Sequence, residues 1–216
     1  MQPLEGIRVI DLTRLLPFTS WLADMGAEVI KVEEPEVGDY SRWFPPTING
    51  QGAYFMLVHR NKKSLTLNLK SDKGKEVFRK LVRVSDVVIE SFRPGVSERL
   101  GVDYKSVKEV NPKIVYCSVS GYGQTGPYRN FPGHDINYIA LGGVLALTGR
   151  KGEPPVVPGT QIADLGSCLL ATVAILSALI FRSKTGEGQY IDISMTDTAI
   201  SWMTIPSAFY LSLIHI

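Results

Sequence analysis

The sequence predicts an α/β fold, an open parallel sheet with helices on both faces, and three observations carry that prediction. Short runs rich in branched residues recur along the chain and alternate with segments of helical period, as strands joined by helical crossovers do. The helical segments carry start and stop residues, such as Ser71 before residues 72–83 and Gly26 after residues 18–25. The long apolar stretch from Leu165 to Phe181 lies between two of the strand runs, where a helix packed in a large core belongs.

Taken in order, Ile7 to Leu12 reads as the first strand, Phe18 to Met25 as a helix and Val29 to Val32 as the second strand. Ser64 to Leu69 alternates polar and apolar residues, as a half-buried strand does. Asp72 to Arg83 is the clearest helix, with Ser71 as N-cap and Val77, Phe78, Leu81 and Val82 on its apolar face. Val87 to Glu90 and Lys113 to Ser118 are short buried strands. Gly166 to Phe181 is a strong helix, and Tyr190 to Ser194 follows as a strand after the turn at Gly186 to Gly188.

The chain has 216 residues, enough for one domain with a real core. Its 44% hydrophobic and 20% charged residues exclude a disordered or fibrous chain. With 23 Lys and Arg against 21 Asp and Glu there is no basic excess, so no nucleic-acid partner is expected. Cys117 and Cys168 stand alone in apolar segments and suit reduced, buried thiols in a cytoplasmic protein; no metal site is expected. The start, MQPLEGIRVIDL, lacks the basic and apolar regions of a signal peptide. No charge falls in Leu165–Phe181 or in Thr198–Ile216. The first of these runs is at the lower limit for crossing a bilayer and is rich in small residues, so a buried helix is expected and no membrane partner.

Gly121-Tyr-Gly-Gln-Thr-Gly126 matches G-x-G-x-x-G, but Pro127, Pro132 and Gly133 follow where a nucleotide-binding helix should open. A nicotinamide site is therefore rejected, while close approach to another ligand stays open. Arg60-Asn-Lys-Lys63 reads either as a solvated turn or as a cradle for phosphates, with Arg93 as a second phosphate candidate. Asp164 follows a loop containing Pro154, Pro155 and Pro158 and opens the apolar helix, so its carboxylate is expected to cap backbone amides there. A carboxylate so held can also act as base or nucleophile. His134 alone is a weak catalytic candidate.

Together these segments resemble CoA-transferase family III, which includes the α-methylacyl-CoA racemases. The resemblance rests on LADMGAEVIKVE at 22–33, RNKKSLTLNL at 60–69, SDVVIESFRPGV at 85–96, SGYGQTGPY at 120–128, GHDINYIALGG at 133–143 and IADLGS at 162–167. It implies the Rossmann-like large domain of that family over residues 1–216, incomplete at the C-terminus, with the small domain, a further acidic residue and much of the dimer interface beyond it. The matching proteins form interlocked homodimers. The stretch after about Tyr210 fits the family pattern poorly. Two departures stand out: the loop at Leu16-Pro17 is about three residues shorter than the family pattern, and Glu34 stands where the racemases often have a CoA-binding arginine.

The resemblance implies an acyl-CoA thioester as substrate and no cofactor beyond its CoA moiety. Racemase-like members pair a histidine with an aspartate, matched here by His134 and Asp164. The leading expectation is accordingly a 2-methylacyl-CoA racemase of fatty acid metabolism, in which the two side chains remove and return the α-proton through an enolate. The alternative is a CoA-transferase using Asp164 as the nucleophile of an acyl anhydride, and a third is an inactive CoA-binding fragment. For CoA itself the resemblance implies Lys63, Thr66, Leu67, Asn68, Leu69, Arg93, Gly133, Asp135, Ile136, Asn137 and Tyr138.

Overall fold

The structure, a computed structural model, describes residues 1–213. Six parallel strands form one sheet: β1 (Arg8–Leu12), β2 (Glu28–Glu33), β5 (Lys62–Thr66), β6 (Val87–Glu90), β7 (Val115–Ser120) and β8 (Tyr190–Ser194), in the order β5-β2-β1-β6-β7-β8. A short hairpin, β3 (Thr47–Ile48) with β4 (Gln51–Gly52), stands apart. The chain winds outward from β1 to one edge of the large sheet and then outward from β6 to the other. The winding reverses between β1 and β6, which pair in register from Val9↔Val87 to Leu12↔Glu90. In such sheets the crevice at the carboxyl ends of the two strands flanking the reversal is the usual ligand site.

Alternation of side chains along each strand fills two cores. Val9, Val29, Ile89, Val115 and Cys117 point to one face, where they meet Leu22 of α1 (Ser20–Asp24), Ile139 of α6 (Asp135–Leu141) and the buried stripe of α7 (Ile162–Thr185). Ile10, Leu12, Val32, Val88 and Tyr116 point to the other face, against Phe78 and Val82 of α3 (Asp72–Arg83) and Val107 of α5 (Tyr104–Val110). The remaining helices are α2 (Ala53–Val58), α4 (Val96–Leu100), α8 (Met195–Ser201) and α9 (Thr204–Leu213).

The expected α/β architecture is present, with several boundaries moved. The α3 helix runs as predicted and its cap is the expected one, with Ser71 Oγ accepting from the Gly74 amide at 3.1 Å. Of its four expected apolar residues, Phe78 and Val82 are buried, Leu81 is half-buried and Val77 is exposed. The first helix is shorter than expected, since Phe18 is a core anchor before it rather than its first residue, and Gly26 follows it with φ +98°. The strand expected at 64–69 begins at Lys62 and stops at Thr66, because β2 ends at Glu33 and offers no further partner. The strand expected at 113–118 lies two residues later, paired with β8 up to Ser120. The helix expected at 166–181 is longer at both ends.

Polar groups are buried at the carboxyl side of β1 and β2. Lys31 Nζ lies 2.8 Å from Asp39 and donates to the Thr13 carbonyl at 2.8 Å. Lys62 Nζ lies 3.2 Å from Asp11 and donates to His59 Nδ1 at 3.0 Å. Since Nδ1 accepts from an ammonium, the His59 proton sits on Nε2, which faces Asp39 at 3.7 Å, beyond hydrogen-bond range. Arg42 grips both oxygens of Glu33, at 2.6 and 2.7 Å. Lys62 is thus part of the interior, and Arg60 of the same cluster pairs with Asp24. Arg60, Asn61 and Lys63 are exposed, as a solvated turn requires, while Lys62 turns inward.

Candidate active site

Two adjoining cavities open where the winding reverses. The first, about 420 Å³, lies over β1, β2 and the turn after β6, and is lined by Leu12, Glu34, Leu67–Lys70, Phe92 and Arg99 among others. The second, about 350 Å³, lies over the ends of β6 and β7, and brings together Tyr40, Arg129, His134, Tyr138 and Asp164. Arg14, Ser91, Phe92 and Arg93 line both and form the wall between them.

Local sequence builds this wall. Glu90, buried at the end of β6, accepts from the Ser118 hydroxyl at 2.5 Å and from the Phe92 amide at 2.7 Å, which fixes the turn that follows. Burial pushes the Glu90 carboxyl up to about 7, against those two hydrogen bonds. Gly95 closes the turn with φ +84° and starts α4. On the other side, Gly121 and Gly133 pack on the ring of Tyr138. A Cβ on either would come within 2.4 Å or 2.6 Å of Tyr138 Cε1, so glycine is what lets these two loops close on α6.

Asp164 occupies the first turn of α7, half-buried. Its expected role as cap is taken by another residue. Asp135 Oδ1, from the start of α6, accepts the amides of Ala163 and Asp164 at 2.7 and 3.0 Å. The Asp164 carboxylate is left without a hydrogen bond among the described residues. Burial, and then the like charge of Asp135, push it up to about 7. Those two α7 amides are thereby engaged and do not face the cleft as free donors. His134 stands exposed at the same cleft as N-cap of α6, its amide donating to Asn137 Oδ1 at 2.9 Å. Tyr138 donates to the Gly133 carbonyl at 2.6 Å, and burial pushes its hydroxyl up to about 12.

The other expected residues divide into three groups. Leu67, Asn68, Leu69 and Arg93 line the first cavity, and Gly133, His134, Tyr138 and Asp164 the second. Thr66, Asp135, Ile136 and Asn137 adjoin these positions in sequence without lining either cavity. Lys63 is brought to neither; it lies near the amino end of the sheet and pairs with Glu28, beside Arg8. Glu34 does not face a phosphate position alone, for it pairs with Arg14 at 3.0 Å and with Lys70 at 2.8 Å. In the shortened loop, Leu15 has φ +70° and its amide donates to Asp39 at 3.1 Å, so the loop is tied into the buried charges behind it.

Arg14, Lys70, Arg99 and Arg129 were not foreseen from the sequence. The one available signal was position: Arg14 follows the first strand, at the end of the sheet where ligands bind. Among the described residues, no group of three or more His, Cys, Asp or Glu is placed to hold a metal ion.

The chain has relatives among known proteins. Two relatives are transferases by name. The chain is 41% identical to a succinyl-CoA:glutarate CoA-transferase of Mus musculus over 98% of its own length and 49% of the relative's. It is 42% identical to an acetyl-CoA:oxalate CoA-transferase of Acetobacter aceti, over 93% of this chain and 53% of that one. The chain thus spans about half the length of the curated relatives it matches. Among solved structures, a CaiB/BaiF family protein from Brucella suis superposes with a TM-score of 0.93 at 41% identity, covering 98% of this chain and 58% of that one. The profile of CoA-transferase family III matches residues 4–213, past Tyr210 and so further than the sequence suggested, while residues 214–216 lie outside the described part. On this evidence the chain belongs to CoA-transferase family III.

Proposed function

We propose that this chain carries the nucleophile and the CoA-binding wall of a CoA-transferase, which moves CoA from an acyl-CoA donor to a second carboxylic acid. The observation that carries this reading is Asp164, a carboxylate with no hydrogen-bond partner among the described residues, in the cavity that adjoins the cationic one. Relatives above 40% identity that are transferases by name support it over the racemase first expected. A carboxylate freed of hydrogen bonds and partly desolvated is a stronger nucleophile once ionised.

Arg93 and Arg99 hold the CoA phosphates in the first cavity, beside Lys70 and Arg14, which already pair with Glu34, and the pantetheine crosses the shared wall to bring the thioester to Asp164. Attack by Asp164 on the thioester carbonyl expels CoA as thiolate and leaves an acyl–aspartyl anhydride. The thiolate then attacks the aspartyl carbonyl and releases the donor acid. The acceptor carboxylate reverses these steps and leaves with CoA. This chemistry calls on no cofactor beyond the CoA moiety of the substrate.

Hydroxylamine added during turnover is expected to trap the activated Asp164 as a hydroxamate, found by mass spectrometry of the peptide. Asp164→Asn is expected to abolish both adduct and transfer. Turnover without an adduct, or transfer by the Asn variant, sinks the proposal. The racemase remains as a second reading because His134 shares the cleft with Asp164. It requires exchange of the substrate α-hydrogen with deuterated water, lost in His134→Ala, and no passage of CoA to a free acid.

A further inference from the structure

The cationic groups around Asp164 are not equivalent. Arg14 is already engaged, with Glu34 at 3.0 Å and the Tyr40 hydroxyl at 2.8 Å. Arg93 lies on the wall between the cavities and also faces the CoA side. Arg129 lines the Asp164 cavity alone, is exposed, and its guanidinium has no ion pair or hydrogen bond among the described residues.

Its backbone is held. The Phe131 amide donates to the Tyr128 carbonyl at 2.8 Å, which closes a turn with Arg129 and Asn130 at its tip. A row of rings fastens that turn to α6: Phe131 meets Tyr128 edge-on at 5.2 Å, Tyr128 meets Tyr122 at 6.0 Å, and Tyr122 meets Tyr138 edge-on at 5.2 Å. A guanidinium is therefore presented, from an anchored turn, at a small cavity in which Asp164 is the one carboxylate among the described residues. About 350 Å³ is near the lower end for ligand cavities and suits a short acyl chain.

We propose that Arg129 is a specificity-determining residue that binds the far carboxylate of a short dicarboxylic acyl group while its near carboxyl reacts at Asp164. A planar guanidinium meets a carboxylate with two parallel hydrogen bonds, and an acid lacking the second carboxylate leaves that fork unpaired. Arg129 makes no bond in the reacting centre. It selects which acid is transferred. This inference rests on the transferase reading.

The test uses the intact protein, a single acyl-CoA donor, and two acceptors of equal carbon number, glutarate and pentanoate. The quantity read is the glutarate-to-pentanoate ratio of kcat/KM, in which any effect on the donor cancels. Wild type is expected to favour glutarate, Arg129→Gln to lower the ratio roughly 10- to 100-fold, as the loss of a charged hydrogen bond does, and Arg129→Lys to restore part of it. A ratio unchanged in Arg129→Gln, or a wild type that favours pentanoate, overturns the inference while leaving the transferase reading intact. If wild type passes CoA to neither acid, the transferase reading has failed and this inference fails with it.

Discussion

Asp135 and Asp164 show how two carboxylates 29 residues apart in the chain take different tasks. Asp135 accepts the first amides of α7 and so absorbs the positive end of that helix. Asp164 receives no such help, and its carboxyl is pushed up to about 7 by burial and by Asp135. For a nucleophile this means that the rate should rise with pH through about 7, the range where the anion forms. Asp135→Asn keeps an acceptor oxygen for the α7 amides but removes the like charge. The ascending limb of its pH–rate profile is therefore expected at lower pH, and a limb unmoved in this variant would mean that Asp135 acts on the helix alone. Stability has the same origin. The unfolded carboxyl ionises near 3.8 and the folded one at about 7, so wild type loses stability as pH rises across that window and the penalty is full above it. Asp164→Asn is expected to melt higher than wild type at pH 8 and to match it below pH 4; equal melting at pH 8 would contradict the assigned burial cost.

At the scale of elements, β1, β2, β5 and the segment around Asp39 share buried ion pairs in addition to their apolar contacts. Burial alone would raise the Asp11 carboxyl, but Lys31, Lys62, Thr13 and Thr19 outweigh it and hold it well below the usual range. Asp39 behaves likewise under the Lys31 ammonium and Ser41, and Glu33, held by Arg42 and Ser64, is lowered to about 2 against its burial. Burial keeps the His59 imidazole below its ordinary value, hence neutral. Lys31→Met leaves Asp39 buried without its ammonium partner and should cost roughly 3–5 kcal/mol in urea unfolding. The lowered carboxylates lend stability that is complete above the ordinary carboxylate range and lost as pH falls through about 4 towards 2. Lys31→Met should flatten that acid limb. A variant as stable as wild type, with the same acid limb, would show that the pair adds nothing. This network also marks what was legible in the sequence. The α3 helix was, because Ser71, Phe78 and Val82 signal within one segment, and β6 and β8 likewise. The pairing of Lys31 with Asp39 and of Lys62 with Asp11 was not legible, because the partners lie in other segments. The cap of α7 by Asp135 was hidden for the same reason, and so was the assembly of Arg14, Arg99 and Arg129 at one end of the sheet.

The whole molecule is most unusual in what it leaves uncovered. In α7 one face is a stripe of small buried residues, Gly166, Ser167, Ala171, Thr172 and Ala178, with Ala171 and Ala178 in the core beneath the sheet and Gly166 against Thr198 of α8 and Trp202. The other face exposes Leu169, Leu170, Val173, Ile180 and Phe181. By length and composition α7 is the one helix among the described residues apolar enough to cross a membrane, with mean hydropathy 2.0. Its place argues otherwise, because it is the crossover between β7 and β8, which pair directly in the same parallel sheet. A membrane-spanning helix would carry one of those strands to the far side. Beside it, α8 and α9 add exposed Ile200, Ile205, Phe209 and Leu211. An apolar surface this continuous is costly in water, so the 216-residue chain on its own is expected to self-associate. Sedimentation should show mass rising with concentration, and an apolar dye should bind. Charging the bare face with Leu169→Lys and Val173→Lys should suppress both effects and change unfolding by no more than about 0.5 kcal/mol per site, as exposed positions allow. A large loss of stability in that double variant would place the two side chains in the core instead. If the unaltered chain sediments as a monomer at every concentration and binds no more dye than the charged variant, the exposed face does not drive association.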